Sequence, residues 1–187
     1  YFYDSLGRTT DIFQTNTSGG TTYAQADDIP SNEILTHSQS LYNTLGQLYK
    51  SISPSGLITR YVYDGLGRNI SVWTGTDDNP YPASGEWSPS NRSNTDLVKI
   101  SQTCYNSHGQ IEYSISFNEY VSDSNNSGFV TLYYYDSVGR NISTKSGLSA
   151  SIDINRYLYY NNTSNHHPVT FTVYNNLGQA IQSRVYD

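Results

Sequence analysis

Tyr61-Val62-Tyr63-Asp64-Gly65-Leu66-Gly67-Arg68-Asn69-Ile70-Ser71-Val72-Trp73 is two short runs of alternating side chains separated by a stretch of turn chemistry. Alternation with period two is the pattern of a half-buried strand, and Tyr, Val, Ile and Trp pack well on a pleated surface. Asp64 opens the turn because its short side chain accepts a backbone N–H two residues on. Gly67 takes the left-handed backbone position that closes a three-residue loop with a bulge, a conformation that disfavours a Cβ. Arg68 restarts the chain as the returning strand. With Asp64 facing Arg68, Tyr63 is expected opposite Asn69, Val62 opposite Ile70 and Tyr61 opposite Ser71. One face of the hairpin is then aliphatic and the other tyrosine and polar.

The same grammar recurs along the chain. Tyr3-Asp4-Ser5-Leu6-Gly7-Arg8 and Tyr135-Asp136-Ser137-Val138-Gly139-Arg140 repeat the Asp form. A sister form alternates with it: Tyr42-Asn43-Thr44-Leu45-Gly46-Gln47, Tyr105-Asn106-Ser107-His108-Gly109-Gln110 and Tyr174-Asn175-Asn176-Leu177-Gly178-Gln179. Asp4, Asp64 and Asp136 precede Asn43, Asn106 and Asn175 by 39, 42 and 39 residues, whereas the return spacings vary more. Two unlike hairpins thus make one super-repeat, and fixed-period self-similarity is the mark of a repeat array. The expected organisation is one continuous array of three super-repeats, 1–60, 61–132 and 133–187. The third copy predicts Tyr134 opposite Ile142, and the sister copies place Leu41, Cys104 and Val173 at the middle strand site. Six hairpin turns and no helix beyond about two turns make the predicted fold class all-β, a solenoid-like or spiralling sheet of stacked hairpins.

The stretch from Leu48 to Arg68, with Pro54-Ser55-Gly56 ahead of Tyr61-Val62-Tyr63-Asp64-Gly65-Leu66-Gly67-Arg68, resembles the YD/RHS (tyrosine-aspartate) repeat. That repeat occurs in bacterial RHS proteins, insecticidal toxin-complex shells, wall-associated proteins and animal teneurins. The resemblance covers most of the chain and implies hairpins stacked into a long spiralling β-sheet. The chain departs from such shells in its Asn motifs, in Asn/Ser-rich insertions such as Asp77 to Asn94, and in having neither a self-cleaving core segment nor a toxin domain.

Composition agrees with a thin, wet sheet. Only 35% of the 187 residues are hydrophobic and 19 of all residues are Tyr, whose hydroxyl must reach water or a partner when the ring is buried. A formal net charge of −6 disfavours nucleic acid and anionic membrane surfaces as partners. No run of about 18 apolar residues exists, so membrane insertion through a helix is not expected. The single cysteine, Cys104, has no partner for an internal disulfide and reads as a small apolar strand residue. The chain opens as Tyr1-Phe2-Tyr3-Asp4 and closes as Arg184-Val185-Tyr186-Asp187, which reads as a segment cut from a continuing pattern.

Asn-x-Ser/Thr sequons stand at Asn16, Asn69, Asn91, Asn125, Asn141, Asn161 and Asn162. Asn69 and Asn141 occupy the same repeat position, in Gly-Arg-Asn-Ile-Ser, which favours occupied glycan acceptors over unused sequons of a prokaryotic protein. The turn residues Asp4, Gly7, Arg8, Asn43, Gly46, Asp64, Gly67, Arg68, Asn106, Gly109, Asp136, Gly139, Arg140, Asn175 and Gly178 are read as structural. Each Arg is expected to pair with its turn Asp or stack on a neighbouring Tyr. Asp27-Asp28 and Asp77-Asp78 read as solvated loop carboxylates, since adjacent Asp side chains diverge along an extended chain. His37, His108, His166 and His167 fall at unrelated repeat positions, and no spacing of metal ligands, nucleophile elbow or phosphate loop is present. The chain is therefore expected to be no enzyme and to take no cofactor. Its leading functional reading is a structural segment of a secreted, N-glycosylated fibre or cell-surface filament that self-associates end to end or continues a longer array. A shell segment of an RHS-type toxin-delivery protein is the alternative, and a carbohydrate- or cell-adhesion surface with glycan partners is a third.

Overall fold

The computed structural model describes residues 1–16, 24, 28–80, 86–117, 128–149, 169–175 and 177–186. Twelve strands form it: β1 (Phe2–Tyr3), β2 (Thr9–Thr15), β3 (Ile34–Tyr42), β4 (Leu48–Ile52), β5 (Ile58–Tyr63), β6 (Asn69–Gly75), β7 (Val98–Tyr105), β8 (Ile111–Phe117), β9 (Gly128–Tyr135), β10 (Asn141–Ser149), β11 (Val169–Tyr174) and β12 (Ala180–Tyr186). They hydrogen-bond in sequence order in a single sheet, and the fold is all-β as the repeat predicts. A single 3-10 turn, Ser31–Glu33, leads into β3. By compactness the chain divides into two units, Tyr1–Arg68 with Trp73–Leu97, and Asn69–Val72 with Val98–Asp187.

The six motifs form the tight turns of the hairpins β1–β2, β3–β4, β5–β6, β7–β8, β9–β10 and β11–β12. A seventh tight turn joins β4 to β5 at the opposite end of the strands. Ser53 opens it, accepting Leu57 N–H on its Oγ at 3.1 Å, and Gly56 closes it at φ 80°. The sequence signal for that turn was Pro54-Ser55-Gly56, with Pro setting φ at the first corner position.

Register departs from the sequence expectation in one consistent way. Tyr135 faces Asn141, but Tyr134 faces Ser143 rather than Ile142, because a bulge intervenes. The same one-residue slip follows the motif tyrosine in the other hairpins whose pairing is described: Phe2 faces Asp11, Leu41 faces Lys50, Cys104 faces Tyr113 and Val173 faces Gln182. An extra residue in the returning strand sharpens the local right-handed twist. It also resets which residues point inward beyond it. Asp11, Ser71 and Ser143, each the third residue after a motif Arg, are all buried. The expected separation into an aliphatic inner face and a tyrosine outer face therefore does not hold: Val173 is 46% exposed, while Val62 packs only partly buried against a core.

Each unit has its own small core. In the first, Ile58, Trp73, Trp87 and Leu97 are buried together, with Ile52 and Val62 against them. Trp73 lies on β6, and Trp87 comes from the connection between β6 and β7, its ring edge-on to Trp73 at 5.7 Å. The connection folds back where Gly75 leaves no room for a side chain: a Cβ there would lie 2.5 Å from Asp96 Oδ1. Asp96 accepts the N–H groups of Thr76 at 2.7 Å and Asp77 at 2.6 Å, closing the base of the connection. In the second unit Ile115 and Val130, directly opposite each other on β8 and β9, are 1% and 0% exposed.

Asp78, read from sequence as a solvated loop carboxylate, is instead 5% exposed. It accepts Arg60 Nε at 2.6 Å and Lys50 Nζ at 3.0 Å, so the connection is tied to β4 and β5 by a buried ion cluster. Removing one partner of a buried pair strands the other charge without water. Asp78→Ala is accordingly expected to destabilise the first unit by about 3 kcal/mol or more. Chemical denaturation followed by tryptophan fluorescence checks this, and a loss below about 1 kcal/mol would contradict a buried, mutually dependent pair.

Candidate functional site: a ladder of stacked turns

The six motif turns share one construction. In Tyr3–Arg8, Gly7 N–H donates to Asp4 O at 3.0 Å and Asp4 N–H to Arg8 O at 2.9 Å, and the other five turns repeat both bonds. The closing glycines Gly7, Gly46, Gly67, Gly109, Gly139 and Gly178 all have φ between 76° and 87°. Inside the loop Asp64 Oδ1 accepts Leu66 N–H and Arg68 N–H, each at 2.9 Å, and Oδ2 accepts Arg68 Nε at 2.7 Å. Asp4–Arg8 and Asp136–Arg140 match this, with Nε to Oδ2 at 2.6 Å in both. The sister turns substitute an uncharged copy: Asn43 Oδ1 accepts Leu45 and Gln47 N–H, and Asn43 Nδ2 donates to Gln47 Oε1 at 2.8 Å. Asn106–Gln110 and Asn175–Gln179 do the same at 3.0 and 2.9 Å. Asp therefore goes with Arg and Asn with Gln because each pair matches acceptor to donor at the same two positions.

Neighbouring hairpins interlock through the same residues. From Tyr42 onward, the phenol of each motif tyrosine donates to the carbonyl of the residue that starts the returning strand of the preceding hairpin. Tyr42 reaches Thr9 O at 3.2 Å and Tyr63 reaches Leu48 O at 2.7 Å. Tyr105 reaches Asn69 O at 3.3 Å, Tyr135 reaches Ile111 O at 2.9 Å and Tyr174 reaches Asn141 O at 3.0 Å. Each accepting carbonyl sits beside the bulge, where the ladder is interrupted and a side-chain donor can substitute. Partial burial pushes the phenols of Tyr63 and Tyr135 above their ordinary value, which keeps them protonated as donors. In four of the turns the residue after the glycine also reaches forward. Gln47 Nε2 donates to Gly67 O at 2.8 Å and Gln110 Nε2 to Gly139 O at 3.0 Å, while the guanidiniums of Arg8 and Arg140 lie over the rings of Tyr42 and Tyr174 at 4.3 and 4.7 Å.

The sequons take different places. Asn69 and Asn141 begin strands half-buried, with Nδ2 directed at Ser71 O and Ser143 O at 3.4 Å, so their shared repeat position coincides with the bulge. Asn16 is exposed at the end of β2, and Asn91 donates from Nδ2 to Glu86 O at 3.0 Å. Asn125, Asn161 and Asn162 lie outside the described residues, as do Asp27, His166 and His167. His37 stacks on Phe13 at 4.0 Å with Nε2 2.9 Å from Asp11 Oδ1, and His108 is exposed at a turn tip. Among the described residues no group of three or more His, Cys, Asp or Glu could hold a metal ion, and no helix is long and apolar enough to cross a membrane.

Two outcomes test the ladder. Gly67→Ala forces a Cβ into left-handed backbone and to 2.9 Å from Gln47 Nε2, whereas a Cβ on Gly65 meets nothing within 4 Å. Gly67→Ala should therefore cost more than about 1 kcal/mol and Gly65→Ala distinctly less, as read from denaturation midpoints. The carboxyls of Asp4 and Asp64 are held below the ordinary value of 3.8, first by the backbone N–H of Arg8 or Arg68 and then by its side chain. A depressed folded value gives stability that is present above 3.8 and drains away as pH falls through the lower folded value. Asp64→Asn or Arg68→Gln alone should lower the midpoint at neutral pH, the Asp64→Asn/Arg68→Gln pair should recover most of the loss, and that pair should show a shallower decline below about pH 4.

No protein-family model matches the chain, and no curated protein matches it. Solved structures do. Over 98% of its length the chain aligns with 7% of a chain in the crystal structure of TcdB2–TccC3–TEV, at 14% identity and TM-score 0.54. The crystal structure of TcdB2–TccC3 gives the same coverage, identity and score. The pore of the Photorhabdus luminescens Tc holotoxin aligns over 96% of this chain and 7% of its own, at 15% identity and TM-score 0.51. This chain thus spans a small fraction of the chains it resembles, and what the likeness establishes is the fold: an antiparallel sheet like part of those Tc toxin chains.

Proposed function

We propose that this chain is a wall segment of an RHS-type toxin-delivery shell. The observation that carries the reading is the interlock just described. Each hairpin from β1–β2 to β9–β10 offers a carbonyl to the tyrosine of the next, and Arg8, Gln47, Gln110 and Arg140 also reach the next turn, so the sheet lengthens by one rule. A wall that encloses a volume needs such an extendable strip. The likeness to toxin-complex chains about fourteen times longer by the aligned share supports this reading over the fibre. In this role the turns and tyrosines are structural, and the segment does no chemistry of its own.

Negative-stain imaging of the full-length polypeptide that carries this segment tests the proposal. Closed hollow particles are expected. Open rods that grow with protein concentration would return the reading to an end-to-end filament, and compact solid particles would reject both.

A further inference from the structure

Beside the tight turn of β3–β4, the first unit carries an open groove of about 500 Å³ lined by five aromatic rings, Tyr42, Tyr49, Tyr61, Tyr63 and Trp87. The rings are held before any occupant arrives. Tyr42 and Tyr63 are pinned through their hydroxyls to Thr9 O and Leu48 O, and Trp87 meets Trp73 edge-on. The Arg60 guanidinium lies 5.3 Å from the Tyr49 ring centre and 5.5 Å from that of Trp87, and is itself fixed by Asp78. A wall already ordered lowers the freedom lost on binding. Its polar groups are donors that lack acceptors. Among the described residues the phenols of Tyr49 and Tyr61 have no hydrogen-bond partner, and the buried indole N–H of Trp87 has none either. Of the two charged residues in the lining, Arg60 is buried and held by Asp78, so the charge presented outward is the exposed carboxylate of Glu86, 3.8 Å from Arg60.

We propose that this groove docks a proline-rich peptide in the polyproline II conformation, with an arginine or lysine at one end. The rings call for an occupant with apolar faces, and the unpaired donors call for acceptors. Polyproline supplies both. Its rings are apolar, and its backbone carries carbonyls with no N–H and no internal hydrogen bond, so every carbonyl is open to a phenol or an indole. The peptide helix is also pre-formed, and neither partner loses much freedom when they meet. An open trough rather than a closed cavity suits an extended chain that enters and leaves. The basic end residue pairs with Glu86, and the chain's net charge of −6 favours a cationic segment over an acidic one.

The test titrates the full chain with a proline decamer led by arginine, a proline decamer led by glutamate and a glycine-serine decamer led by arginine. It reads tryptophan fluorescence, to which Trp87 in the lining reports. Saturable change with the arginine-led proline peptide is expected, weaker binding of the glutamate-led one, and no saturable change with the glycine-serine peptide. Tyr61→Phe keeps the ring and removes only the phenol. It should weaken binding about fivefold, the scale of one lost hydrogen bond, with the thermal midpoint unchanged. Glu86→Gln, at an exposed residue, should narrow the gap between the two proline peptides, again with the midpoint unchanged, so that loss of binding is separated from loss of fold. No saturable response to the arginine-led proline peptide, an equal response to the glycine-serine peptide, or binding unaltered by both substitutions would overturn the proposal.

Discussion

A phenol hydroxyl bonded to a backbone carbonyl one hairpin back is the contact on which this architecture depends. A two-stranded hairpin is marginal alone, and a thin sheet has little apolar volume with which to hold its neighbours. Each hairpin therefore carries its own means of attachment. The bulge beside the turn interrupts the ladder, and the next tyrosine supplies a donor there, as Tyr63 does at Leu48 and Tyr135 at Ile111. A residue type that would be awkward in a thick core is the fitting one here, since its length and its polar tip are both used.

The turns add a second level of matching. Asp with Arg and Asn with Gln close the same loop by the same geometry, one with charge and one without. In each unit the two kinds alternate, so that like guanidiniums do not occupy adjacent turns. The residue that completes one turn also contacts the next, as Gln47 does at Gly67 and Arg8 at Tyr42. At Gly46, Gly67 and Gly139 glycine is thereby favoured twice, for its backbone conformation and for the space the preceding turn's side chain occupies, whereas at Gly7 only the backbone conformation asks for it.

Upon this repetitive frame the connection between β6 and β7 builds something local. It brings Trp87 onto Trp73 and Asp78 onto Arg60 and Lys50, converting an open stretch of sheet into a small core with an aromatic groove at its edge. The frame positions the groove's tyrosines, and the connection supplies the tryptophan and the carboxylates. A regular array becomes particular where a long insertion folds back on it.

The strand content, the six turns and their closing glycines were legible in the sequence because they rest on local rules. Alternation, a side chain that can accept its own backbone N–H, and a position only glycine tolerates all act within a few residues. The bulge at the closing glycine was expected, but the register shift that follows in the returning strand was not legible: Asn-Ile-Ser after the motif Arg reads as plain alternation, and only the paired strand shows that Tyr134 meets Ser143 and that Ser71 and Ser143 are buried. Asp78 looked like a loop carboxylate because its partners, Arg60 and Lys50, are distant in the chain. The reach of each tyrosine to the preceding hairpin was hidden for the same reason, since the residues that meet are 15 to 36 positions apart. Sequence by itself determined the hairpin, whose bonds close within one turn of chain. Tertiary structure alone decided register, buried charge and groove, because those depend on which distant segment arrives opposite.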